Sequence, residues 1–282
     1  MSIARASIEH CQKHAALFSG SLWRSWLKND NKRPVRPEQA NAERSSLRDY
    51  LEKAYGLLED EYRNEYVYKN TIINQLWIDF YGLNDTVMLN EFRINKSVAD
   101  LVMINQNSTV FEIKTELDTT ARLATQVNDY LKLFRQVYVV THESLENKYL
   151  KTIGEEIGVM ILTDQMKLQT TREARTNYNL DPVIAIKSLR KQEYSNIIQA
   201  YFGELPAVSD FSFFRTCKEL FKQMPAETLH KLMCRELSKR QLKAKKFLTD
   251  NAIPQSIKHV CHSLDLSQQE YARLKTLLHK AV

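Results

Sequence analysis

The apolar and polar positions describe a chain that begins helical, turns to strands in its middle and becomes helical again. Over residues 5–28, Ile8, Cys11, Ala15, Phe18, Leu22 and Trp26 recur at three- and four-residue steps, as on one buried helix face. The polar segment KNDNKRPVRP, with Pro34 and Pro37, interrupts that period. A second helix is predicted over 38–58, with Leu47, Tyr50, Leu51, Ala54 and Leu58 on one face. A third, over 61–80, carries Tyr62, Tyr66, Ile73, Trp77 and Phe80 as its stripe and stops at Gly82-Leu83-Asn84-Asp85. The period then shortens to two. Residues 86–94, 98–104 and 109–115 read as three strands, joined by turns at Asn95-Lys96 and at 105–108. A helix over 119–134, capped by Asp118 or Thr119, comes next. A strand over 136–141, a helix over 145–156 and a strand over 158–163 follow, so the later strands are predicted parallel with crossover helices. After Met166 strand signals fade into the polar TTREARTNYNLDP. Helices are predicted over 182–202, 210–222, 225–248, 253–263 and 267–281.

The pattern predicts an α/β (α+β) fold in which a mixed sheet is flanked by helices. Its expected parts are a helical N-terminal segment (1–60), a sheet-bearing core (61–175) and a basic, all-helical C-terminal domain (176–282). No apolar run approaches the ~20 residues that span a bilayer, and no secretory pattern opens the chain. Four cysteines in 282 residues do not make a disulfide framework. A reducing cytoplasm is therefore expected, without a membrane partner.

Charge changes the picture at one end. Residues 213–282 hold 14 Lys and Arg against 6 Asp and Glu, whereas the rest of the chain holds 26 against 28. A near-neutral body with a basic last quarter suits a polyanion, or else a solvated helical surface. The densest cluster, Lys239, Arg240, Lys243, Lys245 and Lys246, is a candidate for phosphate contact. It reads equally as the wet face of a helix whose inner face includes Leu237, Leu242 and Leu248.

The candidate chemistry lies in the strands. Glu112 and Lys114 project from one face of a strand because side chains alternate, and the flanking Phe111 and Ile113 are apolar. Charges on such a strand need a partner or a metal. If Asp100, set inside the apolar SVADLVMI, faces the same way, it and Glu112 can share a hard divalent cation such as Mg²⁺. Lys114 would then orient a water or stabilise developing negative charge. Alone, a Glu-x-Lys is a common cross-strand charge ladder. Asp118 reads as a helix cap, and Arg122 as its partner or a phosphate contact. His230 and Cys234, with Cys261 and His259 or His262 far downstream, could hold zinc, but no CxxC accompanies them and buried packing is favoured. No glycine-rich phosphate loop is present.

Together, VAD at 98–100, EIK at 112–114 and QVNDY at 126–130 resemble the PD-(D/E)XK nuclease superfamily, in its RecB-like branch with a Gln-xxx-Tyr helix. NEYVYKNTIINQL, EIKTELDTTARLATQVNDYLKLF and VYVVT resemble a bacterial set of predicted nucleases over about residues 61–165. The resemblance implies an α-β-β-β-α-β core that hydrolyses nucleic acid with Mg²⁺ or Mn²⁺, DNA ahead of RNA, in a bacterial or phage genome-conflict setting. It implies Asp100 and Glu112 as metal ligands, Lys114 as the catalytic lysine, and Gln126 and Tyr130 as supporting residues. Glu65 is the best match to a glutamate on the preceding helix. Ala99 departs from the proline of the superfamily's name. Two other readings stay open: a binding module that has lost catalysis, and a helical protein-interaction subunit. Oligomerisation and an unidentified protein partner are likewise open.

Overall fold

In the computed structural model, residues 2–28 and 45–281 are described. The predicted break at 29–37, with Pro34 and Pro37, and the predicted helix start at Glu38 lie outside them. The fold is mixed α/β, as the periodicity predicts, and the chain forms two compact units. One comprises residues 1–83 and 242–282; the other is the continuous stretch 84–241. These boundaries differ from the predicted 1–60, 61–175 and 176–282, because the helices after the sheet divide their loyalty. Those up to Leu237 complete the core of the sheet unit, while the last forty residues pack with the N-terminal helices.

The first unit contains α1 (Ser2–Ala16), α2 (Gly20–Lys28), α3 (Leu47–Glu61) and α4 (Glu65–Thr71). The single helix predicted over 5–28 is thus broken at 17–19. Ile8, assigned to its apolar stripe, is exposed, whereas Cys11, Phe18 and Trp26 are buried. Ser46 and Asp49 form a reciprocal capping box that starts α3. After α4 the helix widens into a π-type segment, Ile72–Tyr81, which ends at Gly82 with a positive φ of 75°. That change of pitch keeps Ile73 and Trp77 buried but turns Phe80, predicted on the same stripe, out to solvent. The chain end closes this unit: Asn70 Nδ2 donates to Gln255 O (2.9 Å), His259 N–H to Asn70 Oδ1 (2.9 Å) and Leu47 N–H to Lys280 O (2.9 Å).

The sheet unit is built on six strands in spatial order β1-β2-β3-β4-β5-β6. They are β1 (Val87–Ile94), β2 (Ser97–Ile104), β3 (Ser108–Lys114), β4 (Gln136–His142), β5 (Gly158–Leu162) and β6 (Leu168–Arg172). The first three form the predicted antiparallel meander, and β3, β4 and β5 run parallel. Two crossover helices, α5 (Leu123–Leu131) and α6 (Glu146–Thr152), supply the connections. β6 is a correction to the predicted polar connection. It is an edge strand with three exposed central residues, so it lacks the alternating apolar signal of a strand packed on one face. Four helices follow: α7 (Pro182–Ser188), α8 (Lys191–Phe202), α9 (Asp210–Phe221) and α10 (Ala226–Leu237). They bury Ile184, Ile197, Phe221 and Met233 in one core with Phe92, Val102, Val137 and Tyr130 of the sheet side. The predicted helix 182–202 is two helices, broken at Leu189-Arg190, and 225–248 ends early, at Leu237. In the first unit, α11 (Lys258–Leu264) and α12 (Gln268–Leu278) are the last helices.

Gly158, at the start of β5, is required by space. A Cβ there would lie 2.3 Å from the Tyr138 ring and 2.9 Å from the Ala174 backbone nitrogen. The ring could turn aside, but the backbone could not without disturbing the β5–β6 edge. Gly158→Ala is expected to cost about 1–3 kcal/mol, as overpacking does. Urea unfolding measures it, and an unchanged midpoint would show that the edge yields freely.

Candidate active site

The site lies where the sheet forks. β2 and β3 pair only from Leu101↔Phe111 to Ile104↔Ser108. Beyond that, β2 stays with β1 through Phe92↔Ala99, and β3 stays with β4 through Glu112↔Val139 and Lys114↔Thr141. Asp100 stands at the opening, and its Oδ2 accepts the Ile113 N–H at 2.8 Å. A side chain thus occupies a backbone donor that an unbroken ladder would have used. Across from Asp100, the β1 ladder also skips Glu91, which takes a positive φ of 53°.

All seven residues of β3 are buried. The charged face is therefore as enclosed as the apolar one, and Glu112 is 1% exposed. Burial of that carboxylate is tolerable because three side chains donate to it. Lys114 Nζ and Gln126 Nε2 reach Oε1 at 2.7 and 2.6 Å, and Tyr130 OH reaches Oε2 at 2.6 Å. Lys114 Nζ also donates to Gln126 Oε1 at 3.1 Å. Gln126 and Tyr130 come from α5, one helical turn apart, so both face the strand. Burial first, and then the Glu112 charge and hydrogen bond, push the Tyr130 phenol far above its ordinary value, with a further contribution from Asp100. Tyr130 therefore stays protonated and acts as a donor.

α5 is held over the fork by a residue that the spacing did not single out. Asp129, on the same helix, accepts from Asn95 Nδ2 and Ser97 Oγ, both at 2.9 Å, and so clamps the β1–β2 turn. Although burial alone would raise it, these bonds hold the Asp129 carboxyl below the usual range. Its position one residue before Tyr130 is the only trace of this role in the sequence. Asp118 does not cap α5, which begins later than predicted, at Leu123. Its Oδ2 instead accepts from Thr115 N–H and Thr115 Oγ, both at 2.8 Å, and shapes the turn that leaves β3.

The structure thus brings together Asp100, Glu112, Lys114, Gln126 and Tyr130. Glu65 belongs to the first unit, at the start of α4, where it pairs with Lys69 at 2.5 Å. The basic cluster lies beyond α10, and of its residues only Lys245 and Lys246 are helical, in the short 3-10 segment Lys245–Thr249. Arg240 is bound to Glu193 by two hydrogen bonds of 2.7 and 2.6 Å, and Lys239 pairs with Glu236. Lys243 pairs with Asp265 at 3.2 Å, and Lys245 donates to Leu83 O at 3.0 Å. Lys246 lies over the Phe247 ring. Lys239, Lys243 and Lys246 are exposed. The residues considered for zinc fall in different units. His230 Nε2 meets Ser108 Oγ at 2.9 Å; burial pushes the imidazole down to about 4 and the Cys234 thiol up to about 12. A neutral ring and an inert thiol make this a buried structural contact.

The profile of the family described as Bacteriophage P4 protein cII matches residues 58–264. Protein cII of Enterobacteria phage P4 is 23% identical over 140 residues, 49% of this chain and 50% of its own. The chain thus spans about half the length of this curated relative. Among solved structures, a protein of unknown function from Silicibacter pomeroyi aligns with 45% of this chain and 86% of its own, at 18% identity and a TM-score of 0.29.

Proposed function

Because the chain belongs to the bacteriophage P4 protein cII family, whose name specifies no chemistry, we propose a function from the fork itself: this protein is a divalent-metal-dependent nuclease that hydrolyses phosphodiester bonds, in DNA ahead of RNA. One observation carries the reading. A buried Glu-x-Lys shares a hydrogen-bonded cluster with a Gln-xxx-Tyr helix, beside an aspartate at a gap between strands. The antiparallel β1-β2-β3 meander, followed by a helix and a parallel β4, further supports the core that the PD-(D/E)XK resemblance implies.

Asp100 and Glu112 would hold Mg²⁺ or Mn²⁺. The donor set fits: two carboxylates present hard oxygens, and Mg²⁺ usually takes one or two, with the rest from substrate and water. Glu112 accepts three protein hydrogen bonds out of about four lone-pair positions, which leaves it capacity. When bound, the cation supplies Lewis acidity toward the phosphodiester. The Lys114 ammonium lies against Glu112 and Gln126, from where it would orient the attacking water or stabilise charge on the phosphoryl oxygens. Gln126 holds Lys114 and Glu112 in register, and Tyr130 fixes the second Glu112 oxygen. The three protein donors on Glu112 also favour a second reading, in which the cluster is structural and the protein binds nucleic acid without cutting it.

The two readings separate when the protein meets linear, circular, single- and double-stranded DNA, and RNA, with Mg²⁺ or Mn²⁺. Cleavage of any of these supports the nuclease. Retention of DNA without cleavage at millimolar Mn²⁺ would leave the binding module. Among the described residues no helix is long and apolar enough to cross a membrane, and the four cysteines are free and buried. We place the protein in the reducing cytoplasm of a bacterium or of a phage-infected cell, in genome conflict.

Lys243 and Lys246 are proposed phosphate contacts because their ammonium groups lie on exposed residues. Replacing both with Gln is expected to weaken DNA binding and to reduce the slope of log affinity against log salt by about 2. An unchanged slope would remove them from the interface.

A further inference from the structure

We propose that a second cation site, for Zn²⁺ or Mn²⁺, lies at the C-terminal ends of β4 and β5, formed by His142, Glu143 and Asp164. The proposal is independent of the nuclease reading. His142 ends β4, and Asp164 follows β5 in the turn to β6; His142↔Leu162 pairing sets the two strand ends side by side. One ligand atom from each of the three side chains lies within 4.8 Å of the others. The turn carrying Asp164 is braced by Met166 N–H to Thr163 O (2.9 Å) and Thr163 N–H to Lys167 O (3.0 Å). The Asp164 N–H in turn donates to Glu143 Oε1 at 3.2 Å, which ties the two acidic residues together.

The donor chemistry selects the ion. One imidazole nitrogen with two carboxylate oxygens suits Zn²⁺ or Mn²⁺, whereas Mg²⁺ prefers oxygen alone. Around zinc at ~2.1 Å, ligand atoms lie roughly 3–4 Å apart; the His142 Nε2–Asp164 Oδ1 pair, at 3.2 Å, already meets this, so the remaining adjustment falls to Glu143. Both acids have room to move, because Asp164 is exposed and Glu143 half-exposed, while His142 is buried. Two carboxylates also balance a divalent charge.

The surroundings of His142 contain the support that a metal-bound imidazole uses. Its Nδ1 lies 2.8 Å from Ser144 Oγ, which donates to Glu116 Oε1 at 3.2 Å. Presenting the Nε2 lone pair to a cation places the ring proton on Nδ1, where Ser144 Oγ accepts it while passing its own hydrogen bond to Glu116. Ser144 N–H also lies 3.2 Å from Nδ1, and Asp164 Oδ1 lies 3.2 Å from Nε2. Cation binding through Nε2 therefore requires one tautomer, with the ring proton on Nδ1.

That tautomer is directly measurable. In ¹⁵N-histidine-labelled full-length protein, one equivalent of Zn²⁺ should shift the His142 Nε2 resonance and leave the ring proton on Nδ1, with the signal assigned by its loss in His142→Gln. Asp164→Asn, at an exposed turn that does not threaten folding, should weaken Zn²⁺ binding at least tenfold by calorimetry. The proposal is overturned if the His142 Nε2 resonance is unmoved in tenfold Zn²⁺, if the bound ring carries its proton on Nε2, or if Asp164→Asn binds Zn²⁺ as the parent does.

Discussion

Lys114→Met is expected to leave a folded protein whose metal-dependent cleavage is at least ~10²-fold slower, the usual loss for one preorganised charge stabiliser. The substitution retains most of the stem that packs beside β4 and removes the ammonium. Glu112 then still accepts from Gln126 and Tyr130, so its buried charge does not become an orphan. Glu112→Gln should silence cleavage as fully, because it removes a charge from the proposed ligand pair while preserving the side-chain shape. Glu112→Ala is a poorer test. It strands the Lys114 ammonium in a buried site and leaves the Tyr130 hydroxyl without its carboxylate partner, and breaking a buried pair this way costs about 3–5 kcal/mol. Activity lost with the fold would say nothing about chemistry. The decisive comparison is nuclease rate against far-UV circular dichroism and melting for Lys114→Met and Glu112→Gln. Cleavage at the parental rate by either folded variant removes the fork as the active site.

Arg240→Met is expected to destabilise the sheet unit by about 3 kcal/mol, toward the lower end for loss of one partner from a buried ion pair. The guanidinium donates twice to Glu193 and lies 5.3 Å over the Phe92 ring, and both pair members are largely buried. Glu193 retains a 2.7 Å bond from the Arg190 N–H, which limits the loss. The pair also has a pH signature. Burial pulls the Glu193 carboxyl upward, but the Arg240 and Arg190 bonds prevail and hold it below its ordinary 4.5. A depressed carboxyl contributes its stability above the unfolded value and loses it as pH falls through the folded one, so the contribution fades below about pH 4.5. Denaturant midpoints at pH 7 and pH 3 should therefore differ less in Arg240→Met than in the parent. If the midpoint at pH 7 is unchanged while DNA affinity falls, Arg240 serves the nucleic acid instead. Adding Glu193→Gln should recover part of the stability, since the carboxylate is then no longer left uncompensated.

These two arginine and lysine positions show where a linear reading stops. From the chain alone, Arg240 is one of five clustered cations, indistinguishable from Lys243 or Lys246. A carboxylate 47 positions earlier separates it from them, and no local period can announce such a partner. The same holds at the fork. Alternation puts Glu112 and Lys114 on one face of β3, yet an exposed charge ladder has that alternation too. Their enclosure depends on α5 lying over them, and α5 is held there by Asp129 gripping a turn formed more than thirty residues earlier.

By itself the sequence determined the elements whose apolar period matches their geometry: the β1-β2-β3 meander, the parallel β4 and β5, and the helix that carries Gln126 and Tyr130. It did so because a strand or helix buried on a regular face must repeat apolar residues at its own pitch. Tertiary structure alone decided what that repeat does not encode. It placed β6, whose exposed edge needs no apolar face, and it divided the helical tail between two units. It also opened the ladder at Asp100 and gave Arg240 and Lys243 their distant acidic partners. Those outcomes follow from hydrogen bonds and charges that meet across long stretches of chain, where the cost of leaving a buried polar group unsatisfied sets the arrangement.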